Sequence, residues 1–162
     1  MHFAEYASPV GKLLLGSDGT ALTLLQLGRE VPMPRAEDAV LREAKQWLDR
    51  YFRGERPEGN LSLAPAGTVF QRQVWQILLA IPYGQTRTYG QIAREVAAAL
   101  GKERMSAQAV GQAVGSNPIG ILIPCHRVVG AGGQLTGYAW GVEKKKWLLE
   151  HEQKSGGHFY AI

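Results

Sequence analysis

The segment IPCHRVVG, Ile123 to Gly130, holds the only cysteine of the chain, set between a proline and a histidine. A lone thiol in that setting fits three chemistries. It can fill a core, because a free cysteine packs as a small hydrophobe. It can ligate a metal. It can also act as a nucleophile, when a nearby imidazole takes its proton directly or through a water and leaves the reactive thiolate. Pro124 fixes its own φ and pushes Ile123 toward an extended conformation, so ILIPCH reads as a strand ending in a rigid corner that aims the thiol one way. Adjacent strand residues point to opposite faces, so direct contact between Cys125 and His126 requires a turn here. Metal binding is excluded by spacing: one cysteine with His2, His126, His151 and His158 offers neither paired cysteines nor paired histidines. Inert packing and nucleophilic chemistry both remain. A cysteine protease would need the same two residue types and an orienting side chain, but it leaves the charge distribution unexplained.

That distribution is uneven. Residues 1–84 carry 9 Lys and Arg against 9 Asp and Glu, whereas residues 85–162 carry 9 against 5, so the whole excess of +4 lies in the second half. A solvated basic surface and a phosphate-rich partner docking on the C-terminal part are both consistent with it. With one cysteine no internal disulfide forms, the start MHFAEYASPVGK lacks the features of a secretory signal, and the cytoplasm is the expected location. Runs such as LTLLQL and IGILI are far short of the roughly 20 residues of a membrane helix, so no membrane association is expected.

The elements that must position Cys125 follow from periodicity and punctuation. HFAEYA, KLLLGS and ALTLLQL, broken by Ser8-Pro9 and by Ser17-Asp18-Gly19, read as a small antiparallel sheet. Between Arg35 and Arg53 the residues Ala39, Val40, Ala44, Trp47, Leu48, Tyr51 and Phe52 recur at helical spacing, and Gly54 stops the run. GERPEGNLSLAPAG is then a candidate linker, giving an N-terminal unit over residues 1–66 and a C-terminal one over 67–162. In the second unit Thr68 caps a helix over Val69–Ile81, with Val69, Phe70, Val74, Ile77, Leu78 and Ile81 inward. Thr88 caps a helix from Tyr89 to about Leu100, and Ser106 caps one over Ala107–Val114. Two short capped helices in the basic half suggest helix-turn-helix, although the connection GKERM is longer than the tight turn of that motif. The second of them, AQAVGQAVG, is nearly bare of long side chains. It suits either close approach to a nucleic-acid backbone or tight packing on a neighbour.

IPCHRVVG, preceded by AVGQAVGSNP and followed by GGQLTGYAWGVEKKKWLLEHE, resembles the O6-alkylguanine-DNA alkyltransferase family over about Phe70 to Glu152, and more loosely toward the N-terminus. The resemblance implies an α/β N-terminal domain with a ribonuclease-H-like small antiparallel sheet and a helix, then a mostly α C-terminal domain with a winged-helix-like helix-turn-helix. It implies repair of O6-alkylguanine, and of O4-alkylthymine, by irreversible single-use transfer of the alkyl group to Cys125. By the same resemblance His126 is the base acting through a water, Glu152 is the carboxylate that orients it, and Asn117 braces the turn before the cysteine. Tyr89 is matched to the tyrosine that rotates the nucleotide, and Tyr138 to a pocket wall. Backbone groups near Val128 would read the guanine edge. Ser106, Ala107, Gln108, Ala109 and Gly111 on the recognition helix, with Arg127, would contact DNA through the minor groove, holding a base flipped out of the duplex. The implied partner is double-stranded DNA carrying alkylated guanine, bound by a monomer with cooperative assembly left open. No cofactor is implied, since the substrate brings the alkyl group.

Four positions depart from the family pattern. Gln108 stands where an arginine often fills the gap left by the flipped base, and an amide is shorter and uncharged. Ala139 stands where some relatives have a serine after the wall tyrosine, and Trp140 where a glycine can stand, so Trp140 is expected to narrow the pocket and favour methyl over benzyl adducts. Gly120 replaces a proline found in some relatives. Two other classes compete with this one. A non-catalytic lesion-binding relative lacks the acceptor cysteine, which this chain has. A sequence-specific regulator needs long side chains on its recognition helix, which AQAVGQAVG lacks.

Overall fold

The computed structural model of the chain describes residues 1–28, 37–57 and 61–160, with side chains as far as residue 155. The described chain forms two compact units, one of Met1–Ala66 with Pro118–Gly120 and one of Gly67–Asn117 with Ile121–Ile162. No helix among the described residues is long and apolar enough to cross a membrane.

The first unit is an antiparallel sheet of β1 (His2–Ser8), β2 (Gly11–Ser17) and β3 (Leu22–Leu27) in the order β1-β2-β3. The middle strand buries Leu13, Leu14 and Leu15 in succession, the continuous apolar run of a strand covered on both faces. One helix, α1 (Ala39–Phe52), buries Leu41, Ala44, Leu48 and Tyr51 at spacings of three and four. Its N-cap is Asp38, whose carboxylate accepts from the Leu41 amide at 2.9 Å and from the Ser17 hydroxyl at 2.8 Å, tying the helix start to the end of β2. The Arg35 start expected from the sequence lies outside the described residues. Tyr6 donates to Asp49 at 2.7 Å, and burial followed by that carboxylate pushes its phenol far above its ordinary value.

The far edge of β3 is occupied by two segments that periodicity does not reveal. Leu22 bonds Ser62 and Ala64, each at 2.8 Å, and Leu25 bonds Pro118 at 2.9 Å and Gly120 at 3.0 Å. Both contacts are parallel bridges, Leu22 with Leu63 and Leu25 with Ile119. They satisfy an edge that would otherwise present free amides and carbonyls. Part of the stretch read from its prolines and glycines as a linker thus pairs with the sheet.

The second unit is mostly helical, with α2 (Val69–Leu78), α3 (Tyr89–Ala99), α4 (Ala107–Gly115) and α5 (Val142–Tyr160). Thr68 and Thr88 open α2 and α3 with full capping boxes to Gln71 and Gln91, and Ser106 caps α4 through the Ala109 amide. Gly101, at φ +67°, closes α3: its amide reaches Ala98 and the next amide, of Lys102, reaches Ala97. Inside α2 the buried residues are Val74, Trp75 and Leu78, whereas Val69 is 74% exposed. Val69 therefore faces solvent in the first turn, and Trp75 takes the core position. Its indole donates to the Ala113 carbonyl of α4 at 2.8 Å, fixing the two helices together.

Gly67 lies against that indole, where a Cβ would sit 2.5 Å from the ring. Trp75 is 2% exposed and hydrogen-bonded, so the ring has little freedom to yield. Gly67→Ala is expected to lower stability by about 1–3 kcal/mol, the usual cost of overpacking. Urea unfolding read by tryptophan fluorescence checks this, and an unchanged midpoint would show that α2 shifts freely.

Candidate active site

The stretch expected to be a strand, ILIPCH, is instead a chain of turns. Ile121, a β-branched residue, has φ +67°, which breaks any extended run and is a strained conformation for that side chain. Pro124 then takes φ −81° and ψ +63°, and the Cys125 amide bonds the Ile123 carbonyl at 2.8 Å. This is an inverse γ-turn. It leads into a single 3₁₀ turn over Cys125–Arg127, followed by the short strand β5 (Val128–Val129). The proline does make a rigid corner, but it starts a helical turn, so Cys125, His126 and Arg127 fan out from one turn instead of alternating across a sheet.

Two braces hold this turn. Asn117, two residues beyond the end of α4, donates through Nδ2 to the Ile123 carbonyl at 2.8 Å and to Cys125 Sγ at 3.2 Å. On the other side β5 pairs in parallel with β4 (Arg87–Thr88), in the register Arg87 to Val128 and Thr88 to Val129. Since Thr88 is the N-cap of α3, this pairing also fixes Tyr89 relative to the cysteine turn. Val128 is fully buried within that ladder.

The side chains around the turn form a buried ionisable cluster. His126 is 0% exposed and meets Glu152 of α5, Nε2 to Oε2, at 2.5 Å. Its other nitrogen, Nδ1, is buried with no protein partner. Glu152 also accepts from Arg127 at 2.7 and 3.1 Å and from the Gly84 amide at 3.2 Å. Burial works to raise its carboxyl, yet the neighbouring His126 and Arg127 outweigh that and hold it well below the usual carboxylate range. Cys125 is 7% exposed. Burial pushes its thiol up, while Asn117, then Tyr138, then Lys145 favour its thiolate. The Tyr138 hydroxyl is buried and lacks a hydrogen bond of ordinary geometry. Its ring, half-buried, lies 5.8 Å from that of the buried Trp140, and Ala139 between them is exposed.

Lys145, the middle one of three successive lysines, is not marked out by the local sequence. It is fully buried, with Nζ 5.8 Å from the Tyr89 ring centroid and 3.5 Å from the Thr136 carbonyl. Burial pulls its ammonium down, and the nearby Cys125 works against that. Among the described residues this buried group sets one carboxylate, Glu152, against two cationic side chains, Arg127 and Lys145. The guanidinium is already paired. Lys145 and Cys125 each favour the other's charged form, so a thiolate at Cys125 is the anion that answers this ammonium. A signal existed in the sequence: Lys145 precedes Glu152 by seven residues, two helical turns, with Leu148 and Leu149 buried between them.

Arg127 is a correction. The resemblance implies a DNA contact, but its side chain is 10% exposed, paired with Glu152, and bonded through Nη1 to the Ile81 carbonyl at 2.8 Å. A guanidinium that is 10% exposed and donates from each of its three nitrogens inside the unit is turned away from a phosphate. The remaining predicted contacts lie on α4. Ser106, Ala107 and Gln108 are exposed, and Ala109 and Gly111 are half-buried. A Cβ added at Gly111 or Gly115 would meet no atom within 4 Å, so internal packing does not require these glycines. They leave a smooth outward surface.

With this geometry in view, two family models match the chain. The one described as 6-O-methylguanine DNA methyltransferase, DNA binding domain, covers residues 69–154. The one described as 6-O-methylguanine DNA methyltransferase, ribonuclease-like domain, covers residues 1–65. A methylated-DNA–protein-cysteine methyltransferase of Mycobacterium leprae is 45% identical over 94% of this chain and 93% of its own length. One of Methanosarcina acetivorans is 44% identical over 94% of this chain and 98% of its own. Among solved structures, Mycobacterium tuberculosis OGT in complex with DNA aligns with a TM-score of 0.84 at 42% identity, covering 96% of this chain and 94% of that one.

Proposed function

Because the chain belongs to the 6-O-methylguanine DNA methyltransferase family, we propose that it repairs DNA by moving the methyl group of O6-methylguanine onto Cys125, as a methylated-DNA–protein-cysteine methyltransferase. The observation that carries this reading is the buried Cys125 thiol, held at 3.2 Å by Asn117 and set in a cluster with two cations and one carboxylate. In the transfer, His126 receives the thiol proton, with a water relaying it to Nδ1. The Cys125 sulfur then attacks the methyl carbon as the carbon–O6 bond breaks. Guanine leaves with that electron pair, and the thioether has no easy return, so each molecule acts once. Glu152 orients the imidazole through Nε2, which leaves Nδ1 to take the proton. O4-methylthymine presents the same methyl–oxygen bond and is a second substrate.

The base must leave the duplex to reach a buried sulfur. Tyr89, fixed by the β4–β5 pairing, is the residue that turns the nucleotide, and Tyr138 and Trp140 wall the pocket. The outward glycines of α4 support close approach of the minor-groove backbone to Ser106, Ala107, Gln108, Ala109 and Gly111, with little base readout. The protein is expected to act as a cytoplasmic monomer. Intact-protein mass spectrometry after mixing with an O6-methylguanine duplex tests the reading. It should show a gain of one methylene unit, located by digestion on the peptide holding Cys125. An unmodified protein that still binds the lesion tightly would make it a non-catalytic lesion binder.

Two finer expectations concern departures from the family pattern. Gln108→Arg replaces a neutral donor by a charged one, a difference of about 1 kcal/mol per hydrogen bond, and should tighten duplex binding roughly fivefold. Fluorescence anisotropy with a labelled duplex checks it, and unchanged affinity would mean that Gln108 already fills its role. Trp140, buried against Tyr138, should make methyl transfer at least about tenfold faster than benzyl transfer. Single-turnover rates on the two lesions in one duplex decide this, and equal rates would remove Trp140 as a pocket wall.

A further inference from the structure

Arg127 sits beside the acceptor without a place in the proton relay. We propose that Arg127 is a positioning residue that both locks Glu152 in its rotamer and cancels its charge, so that His126 works against a neutral carboxylate–guanidinium pair. The inference rests on the transfer reading above and deepens it.

The geometry is specific. Arg127 Nε and Nη2 donate to Oε1 and Oε2 of Glu152 at 2.7 and 3.1 Å, a two-point contact that sets the carboxylate plane. Nη1 donates to the Ile81 carbonyl at 2.8 Å, and the guanidinium lies 5.6 Å from the Tyr83 ring centroid. The Gly84 amide adds a further bond to Oε1 at 3.2 Å. The Ile81–Gly84 turn and Arg127 thus hold one carboxylate, leaving Oε2 aimed at His126 Nε2. Arg127 also belongs to the same 3₁₀ turn as Cys125 and His126, so anchoring Glu152 anchors the nucleophile. A lysine could supply the charge but not the fork.

The charge matters as much as the angle. The ionisable groups of this cluster are Cys125, His126 and Arg127 on the turn, Glu152 and Lys145 on α5, Tyr138 from the loop before α5, Tyr83 from the connection after α2, and Tyr89 at the start of α3. A bare Glu152 anion would hold the proton on His126 and oppose a thiolate at Cys125, so the Cys125–His126 pair would give up its first proton at higher pH. An Arg127 cation without Glu152 would do the reverse. With both present the two effects offset each other.

Single-turnover methyl transfer from an O6-methylguanine duplex, measured from about pH 5 to about pH 9, tests the inference through the acidic limb of the rate profile. Arg127→Met should move that limb up by about one pH unit, within the range a lost opposite charge produces. Glu152→Gln should move it down, the double variant Arg127→Met/Glu152→Gln should restore it to near the wild-type position, and Arg127→Lys should leave its position in place while lowering the plateau several-fold. Near-UV circular dichroism identifies which variants fold. If Arg127→Met does not, the double variant and Arg127→Lys carry the test. A folded Arg127→Met with an unmoved limb, or a double variant shifted as far as Glu152→Gln alone, overturns the inference. A wild-type protein that takes up no methyl group overturns the transfer reading instead, and this inference with it.

Discussion

Cys125→Ser is expected to abolish methyl uptake while leaving the protein folded and able to bind the lesion duplex. The substitution changes one atom at a site that is 7% exposed, and the Asn117 amide that donates to Sγ at 3.2 Å can donate to an Oγ as well. Packing is therefore nearly conserved. The chemistry is not. Lys145 and the other groups that favour an anion at this position can draw a proton from a thiol, but a serine hydroxyl ionises with far greater difficulty and stays a weak nucleophile. The loss should approach the order of 10⁶-fold that follows removal of the nucleophile in a catalytic triad. Intact mass after incubation with an O6-methylguanine duplex should show no added methylene unit, and anisotropy should show affinity within about threefold of wild type. Methyl appearing on another residue would remove Cys125 as the acceptor. Loss of binding would mean that the thiol itself holds the base.

Much of the frame that presents Cys125 was legible because local physics dictates it. Thr68, Thr88 and Ser106 are capping residues followed by helical patterns, and each caps the helix it was expected to cap. The three strands follow from short β-like runs broken by turn residues, and Pro124 announces a corner whatever lies before it. The departures arise where a residue's role depends on a distant partner. Nothing local tells a β-branched Ile121 to adopt φ +67°, so a strand was the natural reading of ILIPCH. Arg127, in a basic half, looks like a phosphate contact until Glu152, 25 residues away, is found against it. Ser62–Ala64 and Pro118–Gly120 bond to β3 through single bridges too short to leave a period. Lys145 lies among three successive lysines, and only its register with Glu152 marks it as the one that turns inward.

Glu152→Ala is the second large effect, and it should appear in stability, pH dependence and rate together. Removing the carboxylate leaves the Arg127 guanidinium and His126 Nε2 inside the unit without their common acceptor. Breaking a buried pair from one side costs about 3–5 kcal/mol, because the remaining charge is uncompensated. The sign of the pH dependence follows from the direction in which the folded state moves this carboxyl. Burial opposes ionisation, but His126 and Arg127 hold the group below the ordinary glutamate value of 4.5. A group lowered on folding stabilises fully above its unfolded value and loses that contribution as acid approaches the lowered one. The difference in unfolding free energy between wild type and Glu152→Ala should thus be greatest near neutrality and shrink as pH falls below 4.5. Urea titrations at neutral pH and at about pH 3 measure it. A difference that grows in acid would mean that the carboxyl is protonated in the folded protein. Methyl transfer at neutral pH should fall about 10²–10⁴-fold, the range that a positioned acid–base group supplies. Duplex affinity should change little, because the outward surface of α4 owes nothing to Glu152. A fall in rate matched by an equal fall in affinity would instead point to general unfolding, so the two measurements together separate the loss of a relay from the loss of a fold.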